Sequence, residues 1–364
     1  MKNINWRNTL FLTLTPIAAL ISMPLYLQSV GFSWWLVTIF ATFYVVSNMA
    51  ITCGYHRYFA HRSYDVHPIL EFIYVFFGSG AFQGSVLEWA ADHRIHHSKV
   101  DTDQDPYSIN KGFWYAHIGW LFVKSNAPME FPKDLASKKL LQFQHKHYAL
   151  VSTVVGFGLP WVVGEMLGLG LGGLIFGGIF RVVCTQHSTF FVNSFAHTFG
   201  TQPYSTKHTA KDSLIVAILT FGEGYHNYHH EFQHDYRCAI KWYQWDPSKW
   251  TIRMFWAMGL VSKLRKVSHY DITMAKIHQQ SNRLTLRGVP QEKFAAMKMK
   301  LEEAQKRAKQ LMNDYQKRKE ELKASSQEKY LQLKADMNVA RLEFEYACKQ
   351  WKIYNKMLLK RARV

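Results

Sequence analysis

Cysteine is scarce and unpatterned in this chain, with 4 among 364 residues. Cys53, Cys184, Cys238 and Cys348 lie far apart, without the short spacings of a thiolate zinc site, a redox pair or a disulfide framework. They read as free thiols in a reducing compartment. Acid is the second shortage: 26 Asp and Glu stand against 44 Lys and Arg, a formal net charge of +18 at pH 7. Such a balance suits nucleic acid or the anionic face of a membrane. Its distribution argues against nucleic acid, because charge is sparse in long apolar stretches of the first 200 residues and the basic excess gathers in the last 80. A cleavable leader is not evident either. The apolar run from Leu10 to Leu27 is too long for a signal-peptide core and no small-residue cleavage site follows it, so it reads as a transmembrane helix.

What the chain does have is apolar length. A bilayer core takes about 20 mainly apolar residues per helix, and segments at roughly 9–28, 32–52, 148–167 and 169–192 meet that need. The connections 28–33 and 164–168 carry Glu165 as their single charge, whereas Arg57, Arg62, Lys138, Lys139, Lys146 and the C-terminal third lie on the other side of the spans. The positive-inside bias then predicts a multi-pass protein with both termini in the cytoplasm. A fifth apolar stretch, 69–90, is expected to lie against the others rather than cross, since a crossing there would separate His93 from His56. Residues 200–270 mix polar and aromatic side chains, including Trp242, Trp245, Trp250 and Trp256, as an interfacial layer does.

Eight histidines fall into three clusters: His56 and His61 in HRYFAH; His93, His96 and His97 in HRIHH; His226, His229 and His230 in HNYHH. Residues three or four apart share a helix face. His93 with His96 or His97, and His226 with His229 or His230, can therefore aim at one point. His96 and His97 diverge by about 100°, so they can serve different metals. His56 and His61, five apart, suit a helix end or a π-type widening. All three clusters fall on the predicted cytoplasmic side. A lone histidine in an apolar protein is usually an ordinary core or surface residue, and His67, His117, His145, His147, His187, His208, His234, His269 and His278 are read that way. Three clusters with matching arithmetic on one side point instead to a pair of metal ions. Without cysteine, imidazole ligands with open positions fit iron and oxygen chemistry better than structural zinc.

Apolar residues in the last 75 positions recur three and four apart: Phe294, Met297, Leu301, Ala304, Ala308, Leu311 and Tyr315, then Tyr330, Leu333, Met337, Ala340, Phe344, Ala347, Trp351, Tyr354 and Leu358. This seam predicts a coiled coil or helix pair, open to self-association. The two runs are out of step by one residue near Ser325 and Ser326, which means either a skip in one long coil or a turn. The expected division is a membrane domain over 1–270 and a helical tail over 271–364.

Around these histidines the chain resembles the membrane fatty acyl desaturases, most closely those of the Δ9 acyl-CoA (stearoyl-CoA) type. GYHRYFAHRSY, EWAADHRIHH with DTDQDPYS, GFWYAHIGW, WVVGE, FVNSFAHTFG and GEGYHNYHHEFQHDYR carry the resemblance across about residues 30–268. It implies an all-α integral membrane fold, with four transmembrane helices and a cytosolic helical cap holding a histidine-ligated dinuclear iron site. It adds His197 to the eight clustered ligands, and Asn193 as a residue that reaches a metal through water; their four-residue spacing lets both face one site. It assigns Gln83, Trp89 and Thr189 to the bend of an acyl tunnel and Lys124 to the substrate's carrier. Asp92, Asp105 and Glu223 are candidate acids that orient ligand imidazoles.

The activity implied is oxygen-dependent formation of a cis double bond, with two iron ions and O2 as co-substrate. The carrier stays open between CoA and lipid. Ala91 and Gly84 replace an arginine and an asparagine common in animal acyl-CoA enzymes, and Lys124 is followed by Ser125 rather than a second base. No HPGG haem-binding signature occurs, so the electrons are expected from a separate ferredoxin, rubredoxin or cytochrome b5-like protein. Related hydroxylases and alkane oxidases, which use similar histidine boxes, are the nearest alternative; a non-enzymatic membrane scaffold is the more distant one.

Overall fold

The computed structural model describes residues 4–124 and 130–361; Ser125 lies outside them. Helix dominates. Sheet among the described residues is one pair of two-residue strands, β1 (Asp65–Val66) antiparallel to β2 (Val261–Ser262), with Asp65 opposite Ser262. The chain forms two compact units: one runs to Gln202 and resumes from Lys207 to Lys266, and the other joins Pro203–Thr206 to the chain from Val267 onward.

The first unit is built on long apolar helices. α1 (Trp6–Ser29), α2 (Trp34–Ala60) and α5 (Tyr148–Met166) are long and apolar enough to cross a membrane. Asn5 and Ser33 start the first two by accepting the orphan N–H groups of Asn8 and Trp35. Leu14, Ile17, Leu20, Ile21 and Leu25 of α1 stay exposed, as lipid-facing side chains would. The fourth apolar segment is helical from Gly170 through α6 (Arg181–Thr198). Its Arg181 is fully buried and donates to the carbonyls of Gly177, Gly80 and Gly156, so the cation is met by backbone oxygen. Within 69–90 the helix α3 (Pro68–Ser79) has 12 residues, too few to span.

Three local devices set up the histidine clusters. The end of α2 widens to i→i+5 hydrogen bonding over Ala50–Ala60, and His61 N–H closes it on His56 C=O at 3.0 Å. Arg94 donates to the carbonyls of Phe59 and Ala60 at that end. A capping box of Ser85 and Glu88 starts α4 (Val86–Lys99), which carries His93, His96 and His97. The third cluster rides on α7 (His226–Glu231), entered through Gly222 and Gly224. Gly222 has φ +115°, and a Cβ on Gly224 would lie 2.1 Å from Ala217 N, so neither position tolerates a side chain.

The second unit consists of α9 (His269–Leu286), α10 (Glu292–Ser325) and α11 (Gln327–Arg361). Of the two explanations for the one-residue slip, the chain adopts the turn, with Ser326 extended between α10 and α11. The pair is antiparallel: Tyr315 meets Tyr330 beside the turn, and Phe294 meets Trp351 far from it. The predicted seam is what they bury, with Phe294, Leu301, Ala308, Ala340, Phe344, Trp351 and Leu358 packed with Tyr270, Met274 and Ile277 of α9. Trp351 Nε1 donates to Gln280 Oε1 at 2.7 Å, so its polar edge is satisfied inside the cluster.

Candidate metal centre

Nine imidazoles converge as two groups. His56, His61, His93, His97 and His229 form one; His96, His197, His226 and His230 form the other, and within each group the candidate ligand atoms lie within 4.8 Å of one another. The adjacent residues His96 and His97 enter different groups, as do His229 and His230. Histidines three or four apart stay together in His93/His97 and His226/His230, whereas His226 and His229 part. His197 of α6 reaches the second group from a distant part of the chain.

Nε2 atoms face each other throughout: His61 to His93 at 2.8 Å, His56 to His229 and His229 to His97 at 3.0 Å, His226 to His197 and to His230 at 3.0 Å, and His96 to His230 at 3.3 Å. A neutral imidazole has one N–H and one lone pair. His96 Nδ1 lies 2.9 Å from Asp105 Oδ1, and His56 Nδ1 lies 2.9 Å from Glu223 Oε2. A carboxylate at Nδ1 holds the proton there and leaves the Nε2 lone pair facing inward. Burial, reinforced by neighbouring imidazoles, pushes His61, His93, His97, His197, His226, His229 and His230 well below the ordinary histidine pKa, which keeps them neutral. Neutral, inward-aimed nitrogen donors in two clusters are a donor set that fits two borderline transition-metal ions.

The bracing continues outward through residues that the sequence did not single out. Arg57, fully buried, joins Glu223 at 2.9 Å to Asp246 at 3.0 Å. Burial opposes the Glu223 charge, but Arg57 and His56 offset this and hold its carboxyl at about 2. Asp246 also caps α8 (Pro247–Ala257) through Lys249 N–H. Tyr107 Oη lies 3.2 Å from His93 Nδ1. Thr209 Oγ1 lies 2.7 Å from His197 Nδ1 and is itself held by Asp101. Asp92 departs from its expected role. Among the described residues it makes no hydrogen bond to an imidazole; it lines the adjoining cavity, and burial with help from Glu88 pushes its carboxyl up to about 7. A position one residue from a ligand on a helix points about 100° away from it.

That cavity measures about 1160 Å³ and is lined by His56, His93 and His226, so both groups border it. Asn193 lines it too. The three residues expected at a bend form one hydrogen-bonded chain, with Trp89 Nε1 donating to Gln83 Oε1 at 3.3 Å and Gln83 Nε2 donating to Thr189 Oγ1 at 2.9 Å. The Trp89 ring stacks on His93 at 4.8 Å, which ties this chain to the first imidazole group. Lys124 lines the cavity, and so does exposed Arg7 of α1, which the sequence reading did not assign to a site. Neither makes an ion pair among the described residues. Ile4 and Val123 bridge in antiparallel fashion, which brings these two cations to one rim.

The family model for fatty acid desaturases matches residues 32–262. The chain is 40% identical over 292 residues to acyl-CoA desaturase 1 of Saccharomyces cerevisiae, covering 78% of this chain and 56% of that protein, so it spans little more than half of the yeast enzyme's length. It is 37% identical over 266 residues to the sn-1 stearoyl-lipid 9-desaturase of Anabaena variabilis, covering 72% of this chain and 94% of that one. With the human stearoyl-CoA desaturase it shares 34% identity over 273 residues, 72% of this chain and 75% of the other.

Proposed function

The chain belongs to the fatty acid desaturase family, and on that premise we propose that it removes two hydrogens from neighbouring carbons of a saturated acyl chain, forming a cis double bond at the Δ9 position, with two iron ions and O2. Iron in the two imidazole groups supplies the oxidising chemistry: O2 takes two electrons from the substrate's C–H bonds and two from an external donor, and leaves as two waters. The observation that carries this reading is the cavity bordered by both groups, with the Gln83, Trp89 and Thr189 chain packed on His93. Those three residues bend the acyl chain and present its reacting carbons to the metals, so placement is the protein's main contribution. Asn193, which lines the same cavity as His226, would reach the ion through a water. Arg7 and Lys124 take the anionic carrier, CoA or a lipid headgroup; relatives named for each kind occur.

In the same reading the segments 9–28, 32–52, 148–167 and 169–192 of these helices cross the bilayer, and the imidazole groups and both termini face the cytoplasm. A separate ferredoxin, rubredoxin or cytochrome b5-like donor docks on the basic cytosolic face. The unit from Val267 onward is accessory and available for self-association. Expression in a desaturase-deficient host, followed by fatty acid profiling, tests the reaction. The expected product is a cis monounsaturated chain two hydrogens lighter than its precursor. A product heavier by one oxygen would make the protein a hydroxylase, and an unchanged profile would remove the activity altogether.

A further inference from the structure

α11 carries two apolar faces, and its partners in the second unit cover one of them. The covered residues are Tyr330, Ala340, Phe344, Trp351 and Leu358. Leu331, Val339, Leu342, Tyr346, Ile353 and Met357 are exposed instead. Their intervals of eight, three, four, seven and four place them in one stripe along the helix. Leu342 stands two positions from both Ala340 and Phe344, and Ile353 two from Trp351, so the stripe points about 200° away from the covered seam. It runs about 39 Å from Leu331 to Met357. Single apolar residues on a surface are ordinary, but a continuous apolar stripe marks a contact.

Charge narrows what that contact is. From Tyr346 to Arg361 the charged residues are Lys349, Lys352, Lys356, Lys360 and Arg361, five bases and no acid. All five are exposed, and none makes an ion pair among the described residues. The nearest acids in sequence, Glu343 and Glu345, are taken by Arg307 and Arg341. Lys349 comes four residues before Ile353 and Lys360 three after Met357, so the bases flank the stripe itself. An apolar stripe edged with lysine is the pattern of a helix lying in a membrane interface. A second α11 fits this face poorly. Laid parallel, it opposes five bases to five bases. Laid antiparallel, it offers them the N-terminal half of the helix, where Glu328 and Asp336 are outnumbered by Lys329, Lys334 and Arg341. Nucleic acid would match the charge but leave the apolar side chains in water.

We propose that the outer face of α11 docks on an anionic lipid surface, its apolar stripe sunk among the headgroups and its five bases against their phosphates. The same chain carries α1, α2 and α5, long and apolar enough to cross a membrane, so docking is intramolecular and a modest affinity holds the helix down. The choice of the cytoplasmic leaflet, which is the anionic one, rests on the cytoplasmic C-terminus proposed above.

The test places the photoreactive residue p-benzoylphenylalanine at position 353 of the full-length protein, in phosphatidylcholine vesicles with and without phosphatidylserine, and identifies the photoadducts by mass spectrometry. The expected adduct is lipid, formed when phosphatidylserine is present and reduced by salt. Each lysine near an anionic surface shifts docking about 5-fold, so Lys352→Glu combined with Lys356→Glu should lower that adduct about 25-fold. Both side chains are exposed, so the fold should survive the change. Absence of a lipid adduct overturns the proposal, as does one indifferent to phosphatidylserine and to the charge reversal. An adduct between two copies overturns it too and makes the stripe a dimer interface. Phosphatidylserine in both leaflets makes this result independent of topology. A membrane-impermeant amine reagent that labels the tail on intact cells would remove the cytoplasmic placement alone and leave the docking in force.

Discussion

The imidazole cage and the seam of the helical tail are both buried, and opposite means hold them. In the cage, buried polar side chains are held by particular partners: His96 has Asp105, His197 has Thr209, and Arg57 has Glu223 and Asp246. A buried charge or imidazole deprived of its partner keeps its desolvation cost, so each position admits few residue types. In the tail, Leu301, Ala308, Phe344 and Leu358 meet along a seam where volume and period matter more than identity. Substitutions of similar burial should therefore end activity in one unit and only loosen packing in the other. The sharpest break is His96→Ala. Product formation should fall about 1,000-fold or more, as when one member of a catalytic constellation is removed, while the protein remains inserted. Mass spectrometry of the fatty acids measures this, and appreciable desaturation by that variant would end the distinction between the regions.

Metal removal probes the cage without mutation. A histidine whose folded pKa lies below its unfolded value of about 6.5 contributes stability that is present above pH 6.5 and is lost as pH falls toward the folded value. Seven cage imidazoles are shifted in that direction. The chelated protein should lose about 1.4 kcal/mol per pH unit for each imidazole that resists protonation, so two of them make the unfolding equilibrium about 100-fold less favourable to the folded state from pH 6 to pH 5. Thermal melts across pH 5 to 8 check this. A flat profile would mean that these rings are protonated as readily in the cage as in water. Removing a brace should do less. Asp105→Asn leaves the ligands in place but loosens the His96 tautomer, and metal affinity should fall about 10- to 100-fold, read by competition with a chelator.

The same contrast explains what could be read before the fold was known. Ligands at spacings of three, four or five lie on one local helical segment, so their convergence is a property of a short window; His226 and His230 are an example. The tail seam is legible for the same reason, since a period needs no tertiary information. Asp105 is a local brace, nine residues from His96, but others come from elsewhere in the chain. Asp101 meets Thr209 across 108 positions and Arg57 meets Asp246 across 189, pairings set by tertiary packing that no local spacing encodes. Asp92, one residue before His93 on α4, lines the cavity and makes no hydrogen bond to an imidazole among the described residues, because neighbouring helix positions diverge by about 100°. Arg7 was invisible because a cation at a helix start looks like an ordinary flank until the bridge between Ile4 and Val123 brings it to the rim.

Rim residues should sit between the extremes. Arg7 and Lys124 are exposed, where charge pairs contribute about 0.2–1 kcal/mol each. Arg7→Ala and Lys124→Ala should each raise KM for an acyl-CoA about 2- to 5-fold and leave kcat unchanged, as loss of uniform binding does. A fall in kcat instead would place these cations in the reacting geometry and move the boundary between the regions.

The smallest effect is expected in the tail, with one qualification that sharpens the contrast. Ending the chain after Leu286 removes α10 and α11 but no residue of either imidazole group, so activity per inserted molecule should stay within about 2-fold, the scale of changes remote from a site. Ending it after Lys266 also removes α9. Within the second unit, Thr206 donates to Gln279 and the Lys276 ammonium lies over the Tyr204 ring. Pro203–Thr206 thus belongs to the tail by packing, although it is covalently continuous with Thr209 and His197, the brace and the ligand of the second imidazole group. Loss of α9 unpins that segment, and the variant cut after Lys266 should lose metal from the second group more readily than the one cut after Leu286. Equal metal retention and equal activity in the two truncations would show that the cage holds its own loop without help; a large loss in both would show that the tail is not accessory.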